Sequence, residues 1–249
     1  MDTGIHLRKI KSFVRRAGRT RESQQHALLT YAPLFKIPFT PEPCDFSTVF
    51  GNANPLIVEI GFGMGQSLLA QAMANPEKNY LGIEVHQAGM GCLLAGIHTH
   101  ALSNLRLMDH DAVEILKLMI TDASLSGVQI YFPDPWPKKR HHKRRLIQTE
   151  FIALLTQKLT VGGFIHAATD WQDYATQMLM VLTETPGLSN QALDGTYIQR
   201  PIDRPLTKFE QRGLDLGHGI WDVKFKKQAF TTPNKETLAS FEETTTNHH

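Results

Sequence analysis

From Leu56 onward the chain alternates short, β-branched apolar runs with helical stretches, and this alternation restricts the available folds more than any other feature. Strands are expected over residues 56–60, 80–85, 105–108, 128–132 and 163–167, and helices over residues 66–75, 88–100, 112–120, 146–159 and 173–183. Such an order is the pattern of an α/β protein with a doubly wound, mostly parallel sheet. Residues 219–227 read as a final edge strand. Residues 1–30 are basic, polar and weakly patterned, so a flexible arm is expected there. Residues 31–55 carry Pro33, Pro38, Pro41, Pro43 and Pro55 and read as an irregular approach to the sheet, because proline removes a backbone donor and restrains its neighbour. A single domain is expected over 31–228, with a loose Thr- and Glu-rich tail over 229–249.

In a sheet of this kind ligands bind beyond the carboxyl ends of the strands, where strand order reverses. Every expected strand end delivers an acid. Glu59 precedes the loop Gly61-Phe62-Gly63-Met64-Gly65, Glu84 ends the second strand, and Asp109, His110 and Asp111 follow the third. Asp134 follows the fourth, within Phe132-Pro133-Asp134-Pro135-Trp136, and Asp170 follows the fifth. The three glycines permit a tight turn and close backbone approach to a ligand. A carboxylate at Glu84 can accept both ribose hydroxyls of an adenosine, which suits NAD and S-adenosylmethionine alike. Two details favour the latter. The loop lacks the dinucleotide spacing of its third glycine, and Glu59 would repel a pyrophosphate but not an ammonium or sulfonium. Glu59 as a buttress of the turn, and Asp111 as a helix cap rather than an adenine contact, remain open readings. Prolines on both sides of Asp134 fix its backbone and prepare it for one hydrogen-bonding task.

The charge balance hides its own distribution. Lys and Arg total 26 against 24 Asp and Glu, for a net +2, which by itself speaks against a polyanionic partner. Seven basic residues and no acid lie between Arg8 and Arg21, and six basic residues and no acid between Lys138 and Arg145. The remaining 13 basic residues face all 24 acids, a charge of −11. The chain is an acidic body with two basic segments, one adjoining the Asp134 strand end, where Lys138, Arg140, His141, His142, Lys143, Arg144 and Arg145 are placed for phosphates. His141 and His142 have no companion ligands in sequence, so no metal is expected. Cys44 and Cys92 are too few for a disulfide scaffold, and no apolar run is long enough to span a membrane; a cytoplasmic protein without membrane contact is expected.

Several segments together resemble the bacterial tRNA (guanine-N7)-methyltransferases of the TrmB type. They are Ser12-Phe13-Val14-Arg15-Arg16, Val58 to Gly65, Gly82 to Val85, His110-Asp111-Ala112, Phe132 to Trp136, Arg140-His141, Lys143-Arg144-Arg145, Ala168-Thr169-Asp170-Trp171 and Thr207-Lys208-Phe209-Glu210-Gln211-Arg212-Gly213. The resemblance implies a class I S-adenosylmethionine-dependent methyltransferase fold, Rossmann-like, with a seven-stranded, mostly parallel sheet and helices on both faces. It implies S-adenosylmethionine as cofactor and guanosine 46 of the tRNA variable loop as target. Glu59, Gly61, Gly63, Gly65, Glu84, Asp111 and Asp134 would line the cofactor site, with Asp134 also at the reaction centre. Lys138, the stretch Arg140 to Arg145, Asp170, Thr207, Lys208, Phe209 and Glu210 would meet the tRNA. A monomer and a homodimer both fit. The competing readings are a methyltransferase of this fold acting on another RNA or on protein, a nicotinamide oxidoreductase and a non-catalytic RNA-binding protein.

Overall fold

The computed structural model describes residues 20–202, 204–206, 210–211, 215, 217 and 219–229. Most of the expected arm and nearly all of the expected tail lie outside these residues. The strands are β1 (Leu56–Ile60), β2 (Asn79–Ile83), β3 (Leu105–Met108), β4 (Leu125–Tyr131), β5 (Leu159–Thr169), β6 (Leu188–Asn190) and β7 (Trp221–Lys227). They form one sheet in the order β3-β2-β1-β4-β5-β7-β6. The first five are parallel neighbours, and β7 runs antiparallel to both β5 and β6. Strand order reverses between β1 and β4, so the ends of these two strands flank the crevice.

Helices cover both faces, which is why β1 and β2 are buried along their whole length and are apolar but for Glu59 and Asn79. Ile57 packs with Leu68 and Ala72 of α4 (Gln66–Ala74) and with Met90, Leu93, Leu94 and Ile97 of α5 (Gln87–Thr99). Val58, one residue on, packs on the opposite face with α6 (Ala112–Leu118), α7 (Thr149–Lys158) and α8 (Gln172–Glu184). Glu59 has the parity of Ile57 and therefore points to the α4 side.

The structure departs from the expectations in three places. Residues 22–30, expected within the arm, form α1 (Glu22–Thr30), which packs on α5. Only Gln24 and Ala27 of α1 are buried, so its sequence carries almost no apolar periodicity. The approach segment contains α2 (Ala32–Phe35) and α3 (Phe46–Phe50). Asp45 caps α3 by accepting from Ser47 N and Thr48 N, and Ile37 N donates to Leu107 O to cover the edge of β3. Finally, β7 is not the edge strand. The three half-buried residues of β6 lie outside it, too short and too polar to announce themselves.

Candidate active site

The loop after β1 is a sequence of left-handed turns. Gly61, Gly63 and Gly65 have φ of 77°, 57° and 76°, which side chains rarely tolerate. At Gly61 and Gly63 no atom lies within 4 Å of where a Cβ would stand, so the loop backbone faces open space. Its other side is packed hard. A Cβ on Gly89 of α5 would lie 1.8 Å from Gly63 O. Gly89→Ala is therefore expected to displace the loop, lowering stability by about 2 kcal/mol and weakening binding to the loop by more than tenfold. Thermal melting and cofactor titration of the variant check this, and unchanged values in both would show that α5 yields instead.

Glu84 ties this loop to the end of β2. Its Oε2 accepts from Gly63 N at 2.9 Å, and its Oε1 accepts from Val85 N at 2.7 Å and His86 N at 3.0 Å. Carboxylate oxygens have further lone pairs, so the bonding capacity of Glu84 is not exhausted. Glu59 is 3 % exposed and pairs in register with Gly82 and Gln129. Its Oε2 has no hydrogen-bond partner among the described residues. Burial, reinforced by the Glu84 charge, pushes its carboxyl up to about 8. Asp111 caps α6, its Oδ1 accepting from Val113 N at 2.8 Å and Glu114 N at 3.4 Å. Asp109 turns away to Lys36 at 3.1 Å, and His110 pairs with Glu114 at 2.6 Å under the Phe39 ring.

Asp134 stands exposed on the turn after β4 and makes no hydrogen bond or ion pair with the described residues. Phe132 and Trp136, on either side, have φ of 51° and 42°. Each such non-glycine residue costs about 1–2 kcal/mol and persists only where its surroundings hold it. The basic segment continues as a 3-10 helix over Lys139–Arg144. Lys138, Lys139, Arg140, Lys143 and Arg144 are exposed, and His141 and His142 half-buried. The Arg144 guanidinium lies 5.1 Å from the Trp136 ring centre. Desolvation and the charges of Arg144, Arg140, Lys138 and Lys143 hold His141 below the ordinary histidine range. Arg145 departs from its neighbours: it is 1 % exposed and directed inward.

Asp170 is half-buried beyond β5, beside exposed Trp171. Glu210 is buried and engaged by Arg204, which donates from Nη1 at 2.6 Å and from Nη2 at 2.9 Å. Thr207, Lys208 and Phe209 lie outside the described residues. Arg204, Asp222, His166 and Gly89 drew no functional reading from sequence. A polar residue inside an apolar strand was the available signal for His166 and Asp222, while Arg204 and Gly89 had none. No group of three or more His, Cys, Asp or Glu among the described residues is arranged to hold a metal, and no described helix is long and apolar enough to cross a membrane.

Residues 53–223 match the family described as "Putative methyltransferase". A tRNA (guanine-N(7)-)-methyltransferase of Legionella pneumophila (strain Paris) is 56 % identical over 230 residues, covering 92 % of this chain and 97 % of that relative. The chain belongs to the tRNA (guanine-N(7)-)-methyltransferase family. A member from Vibrio cholerae serotype O1 (strain ATCC 39541 / Classical Ogawa 395 / O395) is 53 % identical over 229 residues, covering 92 % of this chain and 96 % of its own length. The fold agrees with that of the 16S rRNA methyltransferase KamB, whose crystal structure superposes with a TM-score of 0.55 at 13 % identity over 76 % of this chain and 95 % of that one. The seven-stranded class I methyltransferase sheet implied by the family resemblance is thus the observed one.

Proposed function

We propose that the chain transfers a methyl group from S-adenosylmethionine to N7 of guanosine 46 in the variable loop of tRNA. The observation that carries this reading is the juxtaposition around the crevice. A glycine loop facing open space and a buried carboxylate with an unmet oxygen lie on one side, and an exposed aspartate adjoining a basic helix lies on the other. The residues present fit the cofactor. Glu59 Oε2 is a buried acceptor suited to an ammonium, and glycines at 61 and 63 leave room for close approach. Glu84 serves the ribose with its remaining lone pairs, and Asp111 serves the adenine edge from its place at the start of α6. When bound, S-adenosylmethionine supplies an electrophilic methyl on a sulfonium.

Guanine N7 carries a lone pair and no proton, so no base is needed to create the nucleophile. The protein's task is orientation and charge placement. Asp134 accepts from the guanine N1–H and exocyclic amine, turning N7 toward the methyl, and its charge offsets the positive charge that develops on the purine. Asp170 holds a second edge of the nucleoside, with Thr207, Lys208 and Phe209 assigned to the same task by family resemblance. Lys138, Arg140, His141, His142, Lys143 and Arg144 grip phosphates around a base turned out of the folded tRNA. The basic run from Arg8 to Arg21 extends that grip. Methyl transfer from labelled S-adenosylmethionine to unmodified tRNA, set beside the same tRNA with 7-deazaguanosine at position 46, tests the reading. Incorporation is expected only into the first, and equal incorporation into both would move the target elsewhere.

A further inference from the structure

We infer that two buried arginines, Arg145 and Arg204, are positioning residues that hold the Asp134 turn from its two sides. Each is 1 % exposed, and they head the fully buried side chains by volume. A guanidinium is rarely buried so completely, because desolvation is recovered only through well-made contacts. Both groups spend contacts on the same short turn. Arg145 Nε donates to Pro135 O at 2.8 Å, on the carboxyl side of Asp134. Its Nη1 donates to Gln177 Oε1 at 2.7 Å and its Nη2 to Asp173 Oδ2 at 2.6 Å, and it lies 4.8 Å from the Tyr174 ring centre, so that side of the turn is moored to α8.

Arg204 acts on the amino side. Its guanidinium lies 5.7 Å from the Tyr131 ring centre and 5.8 Å from that of Phe132. Glu210 and Asp222 hold it, with Nη2 donating to Asp222 Oδ2 at 2.9 Å and Nε 2.8 Å from Asp222 Oδ1. Asp222 Oδ1 is also 2.8 Å from His166 Nε2, whose Nδ1 is 3.0 Å from the Tyr131 hydroxyl. The chain of contacts therefore returns to the end of β4 through β5 and β7. Phe132 and Trp136, the two left-handed residues, mark the ends of the turn so held. A basic side chain meant for phosphate would face solvent, as Arg140, Lys143 and Arg144 do. Lysine cannot reproduce either arrangement, since a single ammonium lacks the planar fork.

The inference rests on the reading of Asp134 as the reaction-centre acid. The test uses Arg145→Lys, Arg204→Lys and Asp134→Asn in the full chain, together with the double variant of Arg145→Lys and Asp134→Asn. We expect kcat to fall 10- to 100-fold in each lysine variant, with KM for tRNA and Kd for S-adenosylmethionine within about threefold of wild type. In the Asp134→Asn background Arg145→Lys should cost less than about threefold more, because its effect passes through a carboxylate no longer there. Losses that multiply in the double variant overturn the inference, as does a change confined to KM for tRNA, which would make Arg145 an RNA contact. Wild-type kcat in both lysine variants, beside a crippled Asp134→Asn, also overturns it. Wild-type turnover by Asp134→Asn itself instead defeats the reading of Asp134. Should the lysine variants not fold, Asp173→Asn loosens Arg145 from a side chain that is 61 % exposed. It is expected to lose three- to tenfold in kcat alone, and full turnover in that folded variant overturns the inference.

Discussion

Replacing Asp134 by alanine is expected to lower kcat for methyl transfer to tRNA by about 10²–10³-fold. The melting temperature should stay within about 2 °C, because the side chain is exposed and contributes no hydrogen bond or ion pair to the described structure. On the proposed reading of Asp134 the loss arises in two parts. The purine gives up an acceptor for its N1–H and amine, so N7 is no longer held toward the methyl, and the charge developing on the ring loses its counter-charge. Asp134→Asn separates them. The amide retains one acceptor oxygen but presents an NH2 group to a donor and carries no charge, so its turnover is expected close to that of alanine rather than midway. Single-turnover assays at saturating tRNA and cofactor measure the step itself, and filter binding measures the tRNA. Binding should change by less than about threefold, since on the proposed reading phosphate contacts from the neighbouring basic helix carry most of it. Near-normal turnover by Asp134→Ala would remove the residue from the reaction centre.

The rigid part of this arrangement was legible in the sequence because its physics is local. Strands β1 to β4 and the second half of β5 are largely buried on both faces and announce themselves as mostly apolar runs, and Gly61, Gly63 and Gly65 announce a loop that only glycine forms easily. Elements stabilised by something other than their own apolar pattern were not legible. α1 is held by the close approach of Gln24 to Gly91, where an added Cβ would lie 2.6 Å from Gln24 O, and not by an apolar stripe. β6 borrows its order from β7. Within the site, the strand-end acids follow from topology, but the direction of each side chain does not. Arg145 ends a run of basic residues and by composition belongs with Arg144. What turns it inward is a pair of partners on α8, 28 and 32 residues further along, that no local pattern reveals. Glu210 is likewise a buried partner of Arg204 in this structure, so its assignment as a substrate contact rests on resemblance alone.

Glu59→Gln is expected to move stability and cofactor affinity in opposite directions. Burial raises the carboxyl from 4.5 to about 8, so the native state favours its protonated form. The stability this group contributes is therefore complete below about pH 4.5 and is lost as pH rises through about 8. Above that the wild type carries a buried charge with an unpartnered oxygen, and glutamine does not. The variant should be more stable at pH 8.5 by on the order of 4 kcal/mol, and nearly equal to wild type at pH 4.5. Gln129 supplies a reason for the amide to be tolerated: it pairs with Glu59 across β1 and β4, and its Oε1 is itself buried without a hydrogen-bond partner among the described residues. Affinity moves the other way. The methionine ammonium of the cofactor would lose its counter-charge, and Kd should rise about 10- to 100-fold. A further signature separates this role from a structural one. Near pH 7 the free enzyme holds a proton on Glu59 that an arriving ammonium displaces, so binding should release close to one proton per cofactor in the wild type and almost none in the variant. Calorimetry of S-adenosylmethionine binding in two buffers of different ionisation enthalpy reads that difference directly. Equal proton release by the two proteins would return Glu59 to the role of a buttress beneath the glycine turn.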